Sequence, residues 1–167
     1  MFRRRRHAEE EFAAALYARV ADLARAPALF DSFGIPDTVD GRFDALALHA
    51  ALTIDRLRRE QPDGEQLAQA FFDAMFRHLD QTLRELGVQD LGVGRRIKVM
   101  AEGLHGRALA YRAALSGDGK ASLAEVLRRN AYGGRPPDDE AVVGRLEAYV
   151  RGLAKRLAST ARDQLIE

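Results

Sequence analysis

The sequence predicts an all-α protein, a single compact bundle of about six helices, and three observations carry that prediction. Apolar residues recur at helical spacing through nearly the whole chain. Strand-like alternation bounded by turn dipeptides is missing. The breaks between periodic segments are short and marked by Pro and Gly, which favours a bundle over a solenoid.

The elements follow in order. A helix over residues 8–25 carries Phe12, Leu16, Val20 and Leu23 on one face, and Pro27 ends it. Between Pro27 and Pro36, the residues Leu29, Phe30, Phe33 and Ile35 predict a short helical turn or an apolar loop packed on the bundle. A helix over 40–60 has a main stripe of Phe43, Leu46, Ala47, Ala50, Ile54 and Leu57, with Leu48 and Leu52 on a second face. Apolar on two sides, it is expected to be central, and Pro62 stops it. The next helix opens at Asp63, three residues before Gln66 in a variant capping box, and closes at Gly87. Its faces carry Leu67, Phe71, Met75, Leu79, Leu83 and Leu86, with Phe72 and Phe76 beside them.

A helix over 93–115 follows, with Ile97, Met100, Leu104, Ala108, Tyr111 and Leu115 in line. Ser122 and Glu125 form a capping box for a short helix ending near Asn130. Gly133, Gly134, Pro136 and Pro137 mark the longest loop, and a last helix runs over 138–161 along Val142, Leu146, Tyr149, Leu153 and Leu157. No internal repeat or low-complexity segment is evident.

Length and composition narrow the function classes. The 167 residues fit one domain. The absence of cysteine excludes a disulfide scaffold, a thiol nucleophile and cysteine-ligated metal. Net charge is +1, but Arg3, Arg4, Arg5 and Arg6 supply four positive charges at the start. Residues 8–167 carry 22 positive and 25 negative side chains, a net of −3, unlike the strongly basic balance of a nucleic-acid binder. Residues 1–7 are therefore expected to be a basic, flexible N-terminus, and 8–167 a single helical domain. No transmembrane span is evident: the longest early apolar run, Phe12 to Ala18, has seven residues against about 20 needed. The basic start resembles the first part of a signal peptide, but Glu9, Glu10 and Glu11 follow where an apolar stretch is needed. The protein is expected in the cytoplasm.

Chemistry concentrates in 87–115. Gly103 and Gly106, each costing about 1 kcal/mol in a helix relative to alanine, line up with Ala110 and Ala114. This small-residue stripe predicts close packing of a neighbouring helix; its functional alternative is a shallow groove for a partner helix. Arg95 and Arg96 fall in the first turn, where the macrodipole prefers acids, behind Gly87, Gly92 and Gly94. That arrangement is a solvated glycine-rich turn or, alternatively, an anion site. It lacks the lysine and Ser/Thr of a Walker A loop, which argues against nucleotide binding. Lys98, Glu102, His105, Leu109 and Arg112 continue on another face. Residues 91–115 have a net charge of +4 and residues 37–90 a net charge of −5, so the molecule is electrically two-sided, and such asymmetry orients partners.

Enzymatic features are weak. Glu102 and His105 make one Glu-x-x-His unit, and a di-iron bundle needs two. His7, His49 and His78 have no such spacing. The four serines, Ser32, Ser116, Ser122 and Ser159, include none in a nucleophile elbow, and Ser122 is taken by its cap. Neither catalysis, metal nor cofactor is expected.

The stretch from Phe43 to Asn130 resembles the ubiquinol–cytochrome c chaperone family. The resemblance is carried by Phe43 to Leu57 (FDALALHAALTIDRL), Ala70 to Leu86 (AFFDAMFRHLDQTLREL) and Gly87 to Tyr111 (GVQDLGVGRRIKVMAEGLHGRALAY). The last is the most specific, and the Leu127 to Asn130 run also fits. It implies an all-helical, non-catalytic assembly factor for the respiratory ubiquinol–cytochrome c reductase that binds newly made cytochrome b. It also implies possible further partners, a second small assembly protein or the ribosome, and the basic start offers peripheral contact with the inner membrane.

Residue reading and resemblance meet on the 93–115 helix and its leading loop as the client-binding surface. In that expectation Asp90 caps or orients the loop and Gly94 allows the turn. Arg95, Lys98, Glu102 and Arg107 make polar contacts, and Gly106 opens the groove. Arg107→Glu with Lys98→Glu would then abolish client capture and leave helicity unchanged. The alternative surface lies on the 40–60 and 63–86 helices, with 93–115 as the central helix. The competing function is a general helical adaptor or regulator with a different client.

Overall fold

The apolar stripes become the inner faces of seven α-helices in a computed structural model that describes residues 2–167, with side chains from Arg5 onward. The helices are α1 (Phe2–Leu23), α2 (Pro27–Asp31), α3 (Val39–Arg58), α4 (Gly64–Glu85), α5 (Asp90–Ser116), α6 (Leu123–Asn130) and α7 (Glu140–Ser159), followed by a 3-10 turn over Arg162–Ile166. No strand occurs among the described residues. The 27–36 segment thus forms a seventh, short helix.

The two-faced helix is central, as its pattern predicts: α1, α4, α5 and α7 all pack on α3. Its inward positions alternate Leu48, Leu52, Ile54 and Leu57 with Ala45, Ala47, Ala50 and Ala51, all buried. Alanine lets four neighbours approach one helix without voids. α1 also lies along α4, and α6 joins α5 to α7. The turns into α3 and α4 demand glycine. A Cβ on Gly41 would lie 1.9 Å from the Pro36 carbonyl oxygen, and one on Gly64 would lie 2.6 Å from that of Arg58.

Polar groups inside the bundle are ties between helices. His49 Nδ1 donates to the Ala45 carbonyl at 2.7 Å, and Nε2 accepts from the Tyr149 hydroxyl at 2.8 Å, joining α3 to α7. Burial holds the His49 pKa below its ordinary value, so the ring is neutral in this pairing. Arg56 donates to the carbonyls of Leu157 (2.8 Å) and Thr160 (2.9 Å), satisfying the end of α7. The Tyr132 hydroxyl, pushed up to about 12 by burial, donates to the Phe33 carbonyl at 2.7 Å. At the far end of the chain Leu165 is buried against the core, and the Arg162 guanidinium lies 4.9 Å over the Phe12 ring of α1.

Several boundaries differ from the sequence expectation. α1 begins at Phe2 rather than residue 8. The α6 capping box is present with both hydrogen bonds. The variant box at Asp63 is not: Asp63 has φ −107° and ψ 16° and makes no cap bond. An N-cap side chain reaches its target from an extended backbone, which Asp63 does not adopt; its carboxylate instead takes Arg5. α5 starts at Asp90 rather than 93, because the extended Gln89 accepts the first two helical bonds, from Gly92 and Val93. α7 covers 140–159 rather than 138–161, with the Asp139 side chain as its cap. The electrostatic expectation for Arg3 and Arg4 lies outside the described side chains.

Candidate functional site

Helical periodicity says which face is apolar; the packing says which apolar face has no neighbour. One such place stands out. The second half of α1 (Tyr17, Ala21) with Ala24 just after it, the first turns of α3 (Val39, Phe43, Leu46), the second half of α4 (Leu79, Leu83) with Leu86 at its end, and Met100 of α5 enclose an open groove of about 310 Å³. Its rim residues Val39 and Leu86 are 82% and 72% exposed. Few polar groups interrupt it. The Tyr17 hydroxyl, kept protonated by burial, donates to His78 Nδ1 at 3.0 Å. Arg25 and Arg42 stand at the edge, paired with Asp22 (3.1 Å) and Asp37 (2.6 Å). Such a surface can bury apolar side chains of a partner and can do little acid–base chemistry.

The groove takes in parts of the two helices named above as the alternative surface, together with α1 and one residue of α5. Its residues read in sequence as core, because Leu83 and Leu86 continue a helical stripe. The available signal was that the stripe runs to the last turn of a helix followed directly by glycine.

The residues expected on α5 divide into two groups. Gly94, Arg95, Lys98, Glu102 and Gly106 are all exposed on its outer side, where Leu91 is 92% exposed. Lys98 and Glu102 are 4.0 Å apart. Gly94 makes no turn: it is inside the helix, and of Gly87, Gly92 and Gly94 only Gly87 has a left-handed φ, +83°. Asp90 does not cap the loop. It is the first helical residue, and its carboxylate takes Arg84 across the connection from α4. The earlier start moves Arg95 and Arg96 to the second turn, away from the free amides of the first.

Arg107 departs most from expectation. It turns inward, donates to Asp44 at 2.6 Å, and holds its guanidinium 5.4 Å over the Phe43 ring. Burial raises the Asp44 pKa, and Arg107 opposes that shift. The Tyr111 hydroxyl is buried nearby without a partner among the described residues, and burial raises its pKa. Arg107 is therefore a part of the α3–α5 interface, and Arg107→Glu is a folding variant rather than a surface probe. The small-residue stripe divides along its length. Ala110 and Ala114 pack against the core as expected, but a Cβ on Gly106 would meet nothing within 4 Å and one on Gly103 only the Arg107 side chain, so no helix packs at the two glycines.

The histidines are dispersed: His49 in the core, His78 in the groove, His105 exposed on α5 and His7 beside Glu11 at 3.1 Å. Among the described residues no three of His, Asp or Glu gather where a metal would be held.

Comparison with known proteins gives the same fold a context. Residues 31–167 match the family described as ubiquinol-cytochrome C chaperone. A Drosophila melanogaster relative, named ubiquinol-cytochrome c reductase complex assembly factor 1, is 29% identical over 156 residues, 90% of this chain and 60% of that protein. The chain thus spans less than two thirds of that relative's length. The crystal structure of the Cbp3 homolog from Brucella abortus is similar with a TM-score of 0.80 and 34% identity, over 99% of this chain and 90% of that one.

Proposed function

The chain belongs to the ubiquinol-cytochrome C chaperone family, and from that premise we propose that it is a non-catalytic assembly factor for ubiquinol–cytochrome c reductase whose client is newly made cytochrome b. The observation that carries the proposal is the open apolar groove, with Val39 and Leu86 on its rim. A nascent membrane subunit presents helices with large apolar side chains, and such a groove accepts them at i and i+4. Burying each side chain gives about 1.5–3 kcal/mol, against an association cost of about 4–15 kcal/mol. Several side chains must therefore be buried together before the hold exceeds that cost, and the surplus stays small enough to be reversible, as a chaperone requires.

Other residues take supporting roles. Arg107 keeps Phe43 in the groove wall rather than touching the client. Asp90, Arg95, Lys98 and Glu102 offer an exposed polar flank for the client's charged loops, and Gly94 and Gly106 leave that side of α5 without bulk but add no polar contact. Among the described residues no helix is long and apolar enough to cross a membrane; the proposal puts the protein in the cytoplasm at the inner membrane, with Arg5 and Arg6 at its surface for peripheral contact.

Two experiments test this. Deleting the gene should remove the reductase's b-type signal from a reduced-minus-oxidised spectrum of the membranes and leave other cytochromes in place. A normal spectrum with normal reductase activity overturns the assembly role. Complementation with Val39→Glu and Leu86→Glu should fail at normal protein level; full rescue overturns the groove as the client surface.

A further inference from the structure

A second groove exists at the other end of α3, and its chemistry is opposite. α5 and α7 both pack on α3 without substantial contact with each other. The slot between them is about 390 Å³. Packed helix axes lie about 8–10 Å apart, so two helices that share a neighbour and miss each other leave a trough with the shape of a helix. Leu52 of α3, Leu115 of α5, and Ala154 and Leu157 of α7 supply apolar lining. Arg56 of α3, Arg59 at its C-terminal cap, Arg112 of α5 and Arg151 of α7 surround it.

The charges are unequally matched. Asp55 is the only acid among the residues lining the slot, and both Arg59 and Arg112 lean on it, Arg112 at 2.7 Å. Arg112 uses only Nε there, and Arg59 only one terminal nitrogen, leaving further donors on both. Arg151 gives both Nε (3.0 Å) and one terminal nitrogen (2.8 Å) to a single oxygen of Glu147, leaving its other terminal nitrogen as a donor, and Glu60 accepts from Arg56 at 2.6 Å. Arg56 is committed to the end of α7. Three helices end here, and arginines near C-termini complement the helix dipole. That accounts for Arg56 and Arg59, but not for Arg151, two turns before the end of α7.

We propose that this slot seats an amphipathic helix of a second protein, with carboxylates flanking a Leu/Ala stripe. The stripe covers the apolar lining, and the carboxylates meet Arg112 and Arg151. Arginine suits this because its fork binds carboxylates in two-point fashion. The site is separate from the client groove and does not rest on the client assignment.

The test uses a synthetic, stapled amphipathic peptide of about 18 residues, five turns of helix, with glutamates flanking a leucine stripe. A second peptide carries glutamine for each glutamate. Fluorescence anisotropy should show the glutamate peptide binding the full-length protein about tenfold more tightly than the glutamine peptide. Arg112→Gln with Arg151→Gln should erase that difference, Arg112→Lys with Arg151→Lys should largely keep it, and Val39→Glu with Leu86→Glu should leave it unchanged. Circular dichroism checks that all variants are folded. Failure of the glutamate peptide to bind, or equal binding of both peptides, overturns the proposal. So does binding that ignores the Arg112 and Arg151 changes. If phosphatidylglycerol vesicles bind through the same arginines while the peptide does not, the slot is a lipid contact and the proposal is wrong.

Discussion

The two grooves share one helix and differ in almost everything else. The first uses the start of α3 and is walled by α1 and α4; the second uses the end of α3 and is walled by α5 and α7. Both have arginines at their edges. In the first, Arg25 and Arg42 each have their own aspartate, and the surface between them is apolar. In the second, two arginines share Asp55. The difference teaches that residue type does not make a surface charged or apolar; local matching does. An apolar trough with neutralised edges accepts many apolar segments. A trough with under-matched arginines selects by sign and gains more in orientation and association rate than in affinity.

The largest expected effect would break the comparison by damaging the helix both grooves share. Arg107→Glu leaves buried Asp44 without its partner and adds a carboxylate beside it, costing about 3–5 kcal/mol. At about 2–4 °C per kcal/mol, melting should fall by roughly 10 °C. Lys98→Glu, on the exposed side of the same helix, should move stability by no more than about 0.5 kcal/mol. Equal melting temperatures for the two variants would show that Arg107 is a surface residue after all.

Leu86→Glu should sharpen the comparison. It should weaken cytochrome b capture about tenfold, since one large apolar contact is lost, and leave melting nearly unchanged. Co-purification from membranes reads the first and calorimetry the second; a large fall in melting would mean Leu86 belongs to the core.

Tyr149→Phe removes the donor to His49 Nε2 and should cost about 1 kcal/mol. His49 also sets a pH dependence. Its folded pKa lies below the unfolded value of about 6.5, so only the unfolded chain takes up the proton as pH falls through that value. Stability is full above about pH 6.5 and declines from there toward the folded pKa. Urea unfolding at pH 7.5 and 5.5 should show this decline, and His49→Gln should flatten the part due to this residue.

The smallest effect is stabilising. Gly106→Ala places a methyl in open space and should add about 0.5–1 kcal/mol, with client capture unchanged. A loss of capture would move the binding surface from the α4 groove to the outer side of α5.

How much of this was legible follows from which forces are local. The central position of α3 was legible because two apolar faces need two sets of neighbours. The α6 cap was legible because Ser122 and Glu125 are three residues apart. The start of α5 was not: Gly92 and Gly94 read as loop, yet Gln89 nucleates a helix through both. Arg107 was misread because its partner Asp44 is 63 positions away, and spacing cannot see such a distance. The client groove was half legible. Phe43, Leu46, Leu79, Leu83, Leu86 and Met100 were read as apolar stripes, but whether a stripe is covered depends on where the other helices go.

The contact between Arg162 and Phe12, with Leu165 buried beyond it, has a consequence for the order of events in synthesis. The seat of the first helix is completed by residues about 150 positions further along the chain. During translation α1 can pair with α4, but the surface around Phe12 stays open until residues 162–165 have been made. Contacts of such long sequence separation are slow to form. The two ends of the chain should then open together, and their amides should exchange with solvent as one unit. The first helix and the 3-10 turn are in this sense a ring and its clasp.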